Sequence, residues 1–176
     1  MKKKIVLVSL SMLALWVLTG WNQSGACSSG WYVTGYYVPV ETDFAGEPKE
    51  INVGGKIFSF PRDFLEEVQE EGWGKTRSGM YLGWHDDAWY SATMPLDTQG
   101  NKLKDGVIAV DPSIIPPSST VSIQTLPGAY GKEEFTAVDE GPAIKHLHID
   151  VYTGEGKEAL LRTKEVTSDN NLVCVK

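Results

Sequence analysis

The sequence is short of the residues that carry nucleophilic and metal chemistry. Its 176 residues include two cysteines and three histidines. Both cysteines, Cys27 and Cys174, fall at the extremes of the chain beyond its N-terminal leader-like segment, which argues against thiol catalysis. No nucleophile elbow and no glycine-rich phosphate loop occurs. Positive charge is also scarce, with 16 Lys and Arg against 23 Asp and Glu and a formal net charge of −7. Such a balance disfavours nucleic acid and anionic membrane surfaces as partners. A spanning helix needs about 20 apolar residues, and the run from Ile5 to about Leu18 is too short to be a permanent anchor. Internal repeats, long linkers and low-complexity tracts are absent too.

That short apolar run has a different meaning in context. Lys2, Lys3 and Lys4 precede it, and Gly20 and the small residues Ser24-Gly25-Ala26 follow it. This is the order of an export signal, so residues 1–26 are expected to be removed. Residues 27–176 then form a single domain, with a formal charge of −10 once the three signal lysines are gone. The expected location is extracellular, in the cell wall or periplasmic. In an oxidising compartment Cys27 and Cys174 read as one disulfide tying the termini together. The rival is a lipid anchor on Cys27, because small residues precede it. The chain is expected to be monomeric, without a cofactor and without a permanent membrane span.

Most of residues 27–176 reads as short strands. Trp31 to Val40 is rich in aromatic and β-branched residues. Ile51 to Phe60 places apolar runs on both sides of Gly54-Gly55, a hairpin signal. Between Pro61 and Gly72, the spacing of Phe64, Leu65 and Val68 predicts a short amphipathic helix. Gly72 and Gly74 bracket Trp73 in an expected turn, and Tyr81 to Ala92 reads as a strand pair. Further on, strands are expected at Val107–Val110, Thr120–Thr125, Glu134–Val138, around Leu147–Val151 and at Asn171–Val175. One or two helical turns are expected at Lys157–Arg162. Many short strands with Gly and Pro turns point to a closed or nearly closed β architecture.

Three aspartates punctuate the second half. Val107-Ile-Ala-Val-Asp111-Pro is a strand ending Asp-Pro. Phe135-Thr-Ala-Val-Asp139-Glu-Gly-Pro-Ala-Ile-Lys145 is a strand and turn, and His148-Ile-Asp150-Val-Tyr152 is a strand. Together with Thr34-Gly-Tyr36-Tyr37-Val-Pro39, these segments resemble the three-aspartate domain of the membrane-bound lytic transglycosylase A family. The same pattern occurs in related bacterial stationary-phase survival and resuscitation-factor proteins. The resemblance covers about residues 33–40 and 105–162 and leaves 45–100 as an elaboration. It implies a six-stranded double-psi β-barrel and cleavage of the MurNAc–GlcNAc bond in peptidoglycan glycan strands. It also implies Asp150 as catalytic acid, Asp139 as its support across a groove, and Asp111 as the first of the trio. Against the family's Asp-Thr-Gly-Gly-x-Ile-Lys-Gly turn, Glu140 replaces Thr, Pro142 the second Gly, and His146 the Gly after lysine.

The chemistry agrees with the carboxylates. Breaking a glycosidic bond means protonating a poor leaving group, so one carboxyl must hold its proton near neutral pH. Aspartate ordinarily titrates near 4, so burial or a neighbouring carboxylate must raise it. In a lytic transglycosylase the muramic C6 hydroxyl attacks within the same sugar, so one residue can act as acid and then base. Asp150, mid-strand between Ile149 and Val151, is the candidate for both roles, with Asp139 tuning it. Tyr36, Tyr37, Lys145 and His148 are candidate substrate contacts. Two other readings stay open: a non-catalytic, expansin-like barrel that binds wall polysaccharide, and a metal-dependent hydrolase. The last rests on strand alternation, which would put His146, His148 and Asp150 on one face; the third histidine, His85, lies far off beside Asp86 and Asp87.

Overall fold

The computed structural model describes residues 25–176. The expected export signal falls outside these residues apart from its last two, and Ala26 already opens the first strand. Six strands close a barrel in the order β1-β10-β7-β9-β8-β11. They are β1 (Ala26–Val38), β7 (Val107–Val110), β8 (Thr120–Ile123), β9 (Glu134–Asp139), β10 (His148–Glu155) and β11 (Ser168–Val175). β1 pairs parallel with β10 and β7 parallel with β9, and the other four pairings are antiparallel. This is the expected mainly β, double-psi barrel.

Period-two patterning fills its interior. Val33, Ile108, Val110, Val121, Ile123, Phe135, Ala137, Ile149, Val151 and Val173 point inward into one core. At about 25 cal/mol per Å² of apolar surface removed from water, this layer is the main stabilising term. Helix α2 (Gly156–Val166) closes over β1 and β10 and adds Val166 to the same core. It runs further than the helical turns expected at 157–162, because Ala159, Thr163 and Val166 keep one buried face in phase. Gly35 allows the close approach: a Cβ there would lie 2.7 Å from Thr163 Cα.

The chain between β1 and β7 builds a second layer. Strands β2 (Pro48–Val53) and β3 (Lys56–Pro61) form the expected hairpin. Gly54 and Gly55 at φ 58° and 86° make the two-residue turn, a conformation costly for any residue with a Cβ. Helix α1 (Arg62–Glu71) follows, with Phe64, Leu65 and Val68 fully buried. Trp73–Lys75, expected as a turn, is instead strand β4, paired with β5 (Tyr81–His85), which in turn pairs with β6 (Ala88–Ala92). Gly74 belongs to that strand because a side chain there would collide with Val68 and Phe64. This layer has its own apolar core around α1. It meets the outside of the barrel through Val38, Tyr81, Leu103, Val107 and Tyr152.

Cys27 and Cys174 face each other across β1 and β11 and are disulfide-bonded, as expected. The bond leaves the Cys27 sulfur no valence for a lipid thioether. Among the described residues, no helix is long and apolar enough to cross a membrane.

Candidate functional site

The outward faces of four barrel strands share one transverse row. Thr34 of β1 pairs with Asp150 of β10, Asp150 with Ala109 of β7, and Ala109 with Asp139 at the end of β9. Their neighbours Val33, Ile149, Val151, Ile108 and Val110 point into the core, so alternation turns this row outward. Ala109 separates the two carboxylates with only a methyl group. With strands about 4.8 Å apart, the row places Asp150 and Asp139 two strand spacings apart on one outward face.

Each carboxylate has a different environment. Asp150 accepts one hydrogen bond, from the Thr34 hydroxyl at 2.7 Å. Burial pushes its carboxyl up to about 6, the Thr34 bond opposes the rise, and the charge of Asp139 adds to it. Asp139 accepts three: the Tyr36 hydroxyl at 2.7 Å on one oxygen, and the Thr98 and Glu140 backbone N–H groups at 3.1 and 3.0 Å on the other. Burial raises Asp139 as well, but all three donors favour its charged form. The better-solvated charge is therefore on Asp139, and the group poised to hold a proton is Asp150. Tyr36 stays a neutral donor, since burial and then Asp139 raise its phenol well above its usual value.

Asp111 does not join them. One oxygen accepts from the Ser113 N–H at 3.0 Å and the Ser113 hydroxyl at 2.6 Å, and the other accepts from the His146 N–H at 2.9 Å. These bonds, led by the Ser113 hydroxyl, hold its carboxyl down at about 2. It is a permanent anion that pins the loop before β10 to the end of β7. His146, standing where the family pattern has glycine, has φ 59°. The left-handed backbone explains that pattern, and histidine tolerates the conformation better than most residues with a Cβ.

Of the expected substrate contacts, Tyr36 and His148 border the row. Tyr37 does not: it is 3% exposed, and its hydroxyl donates to Glu67 of α1 at 2.7 Å. Lys145 is exposed on the loop. His146 lies outside β10 in its left-handed conformation, so His146, His148 and Asp150 do not line one strand face. Among the described residues no group of three His, Cys, Asp or Glu side chains is placed to hold a metal ion.

Three neighbours were not picked out from the sequence. Thr34 lies inside the Thr-Gly-Tyr-Tyr segment, where only the tyrosines drew notice. Thr98 caps Asp139 from the second layer and also bonds the Val138 carbonyl through its hydroxyl. Glu71, in the last turn of α1, accepts the Tyr37 N–H at 3.0 Å. Burial, with Asp150 among the nearby negative charges, pushes it up to about 8, and its place at a helix C-terminus opposes its charge too. No local pattern marks Thr98 or Glu71.

Residues 106–166 match the family model of the 3D domain. The chain carries a 3D domain. Its fold is that of solved MltA structures. Against Escherichia coli MltA with bound chitohexaose the identity is 16% and the TM-score 0.59, over 82% of this chain and 71% of that one. A second E. coli MltA structure, described as a unique lytic transglycosylase fold, gives 15% and 0.57 over the same shares. MltA from Neisseria gonorrhoeae gives 15% and 0.54 over 85% of this chain and 71% of that one. No curated protein sequence matches the chain significantly.

Proposed function

We propose that this 3D-domain protein is exported and cleaves peptidoglycan glycan strands as a lytic transglycosylase. The observation that carries the reading is the outward row, where one singly bonded, largely enclosed carboxyl, Asp150, faces a better-solvated one, Asp139. Asp150, protonated at the start, gives its proton to the leaving glycosidic oxygen. The resulting carboxylate then takes the proton of the muramic C6 hydroxyl as that oxygen closes on C1, which returns Asp150 to its initial state. Attack from within the same sugar removes the need to position a water. The Asp139 charge favours the developing positive charge on the sugar ring. Tyr36 fixes Asp139, and His148 borders the row beside Tyr32, 4.8 Å away between ring centroids. Asp111 holds the loop that leads into β10. Two further supports are the fold shared with MltA, one of whose structures holds chitohexaose, and the disulfide, which suits an oxidising compartment.

The deciding experiment digests purified murein with the native chain and with Asp150→Asn, and weighs the products. Anhydro-muramyl ends released by the native chain and lost in the variant support the reading. Murein bound but left intact by both would replace it with the polysaccharide-binding barrel.

A further inference from the structure

The Thr34 hydroxyl has two partners and one proton. Its oxygen lies 2.7 Å from Asp150 Oδ1 and 2.9 Å from His148 Nε2. A hydroxyl donates once and accepts at its lone pairs, and a neutral imidazole carries its proton on one nitrogen only. Those counts allow two arrangements. With Asp150 ionised, Thr34 must donate to the carboxylate, so His148 must donate to Thr34 from a protonated Nε2. With Asp150 protonated on Oδ1, the acid donates to Thr34, Thr34 donates to an unprotonated Nε2, and the histidine proton sits on Nδ1.

We infer that Thr34 and His148 form a proton relay to Asp150, in which the imidazole tautomer follows the carboxyl's protonation state and the relay sets that state before a glycan binds. The balance is simple. A proton taken from water at Nδ1 makes the imidazolium. Nε2 then passes its proton to the Thr34 oxygen while the Thr34 proton moves to Asp150. The products are a carboxylic acid, an unchanged threonine and the Nδ1–H tautomer. No heavy-atom bond changes.

The surroundings suit such a relay. His148 is partly exposed and stacked at an angle on Tyr32, itself 41% exposed, so the imidazole stands at the solvent edge of the row. Its ring also meets the Ala143 carbonyl, an acceptor for a second N–H, while burial lowers the imidazole from its usual value. Around Asp150 the facing ionisable groups are Asp139 of β9, Glu71 of α1 and Tyr36 of β1. None of them donates a hydrogen bond to it, so Thr34 is its one protein donor among the described residues. The link to catalysis rests on the function proposed above; the hydrogen-bond exchange itself does not.

The test uses the disulfide-bonded chain without substrate. Its carboxyl carbons and imidazole nitrogens are followed by NMR as pH is raised from 4 to 8. The expected result is that the neutral form of His148 is the Nδ1–H tautomer while Asp150 holds its proton and the Nε2–H tautomer once Asp150 has lost it, the change following the midpoint of the Asp150 carboxyl. In Thr34→Val the tautomer change should uncouple from Asp150, whose midpoint rises by about one pH unit with the lost donor. Thr34→Ser should restore both. One His148 tautomer throughout the Asp150 titration, or a persistent imidazolium–carboxylate pair, overturns the relay. Both readings come from the resting protein, so they stand apart from whether murein is cleaved.

Discussion

Asp111 and Asp150 belong to the same sheet, one just past the end of β7 and the other in the middle of its neighbour β10, yet they have opposite chemistries. The β7 end offers Asp111 three donors, and its carboxyl is held at about 2. The middle of β10 buries Asp150 and offers it one donor and a nearby negative charge, and its carboxyl stands at about 6. A carboxylate in a turn collects backbone N–H groups that have no ladder partner. A carboxylate in a strand finds those groups already spent on neighbouring strands. Position within an element, more than sequence motif, thus divides structural anions from acids.

The largest test of this contrast is Asp150→Asn. Murein cleavage should fall by about 10²–10⁴-fold, the usual weight of a general acid–base. The folded chain should meanwhile become more stable. A carboxyl raised to about 6, against about 3.9 unfolded, penalises the fold as pH rises between those values and costs nothing below the lower one. Replacing it should therefore stabilise by up to about 3 kcal/mol at pH 7, with little change at pH 3. Denaturant melts at the two pH values check it, and an equal effect at both would remove Asp150 from the class of poised acids.

Asp139→Asn should sharpen the contrast by bringing the two aspartates closer in kind. Without the neighbouring charge the Asp150 midpoint should drop towards the ordinary range. Loss of about one unit would cut cleavage at pH 7 by about tenfold and move the alkaline limb of the pH–rate profile to lower pH. An unmoved limb would show that Asp139 does not act on Asp150 through its charge.

Asp111→Asn should have the opposite sign to Asp150→Asn. A carboxyl depressed to about 2 contributes stability above its unfolded value near 4, and that stability is lost as pH falls towards 2. The variant should be less stable than the native chain at pH 6 and should converge with it near pH 2. The smallest effect belongs to His146→Gly. Relief of the left-handed backbone, partly offset by glycine's greater freedom when unfolded, should stabilise by up to about 1 kcal/mol.

Much of this was legible in the sequence because the barrel strands are either short apolar runs or simple alternations. Val107–Val110, Phe135–Asp139 and Ile149–Val151 announced their strands, and the aspartates stood out where polar residues interrupt them. Alternation puts the neighbours Tyr36 and Tyr37 on opposite faces of one strand but does not say which face meets a carboxylate of the site. Only packing shows that one reaches Asp139 and the other Glu67. Trp73–Lys75 read as a turn because two glycines flank the tryptophan, whereas Gly74 is there to let Phe64 and Val68 approach. Thr98 and Glu71 remained hidden because they reach the row from a layer far away in sequence. Lone polar residues of that kind carry no periodic signal.

The Thr34–Asp150 contact spans 116 positions, and the disulfide spans 147. Contacts between residues so far apart form slowly, since a long loop must close before they repay its entropy. Thr34 is made well before Asp150, so a growing or half-translocated chain holds the threonine without its carboxylate. If this protein cuts walls, its acid is assembled only after β10 has followed β1, a delay set by topology alone.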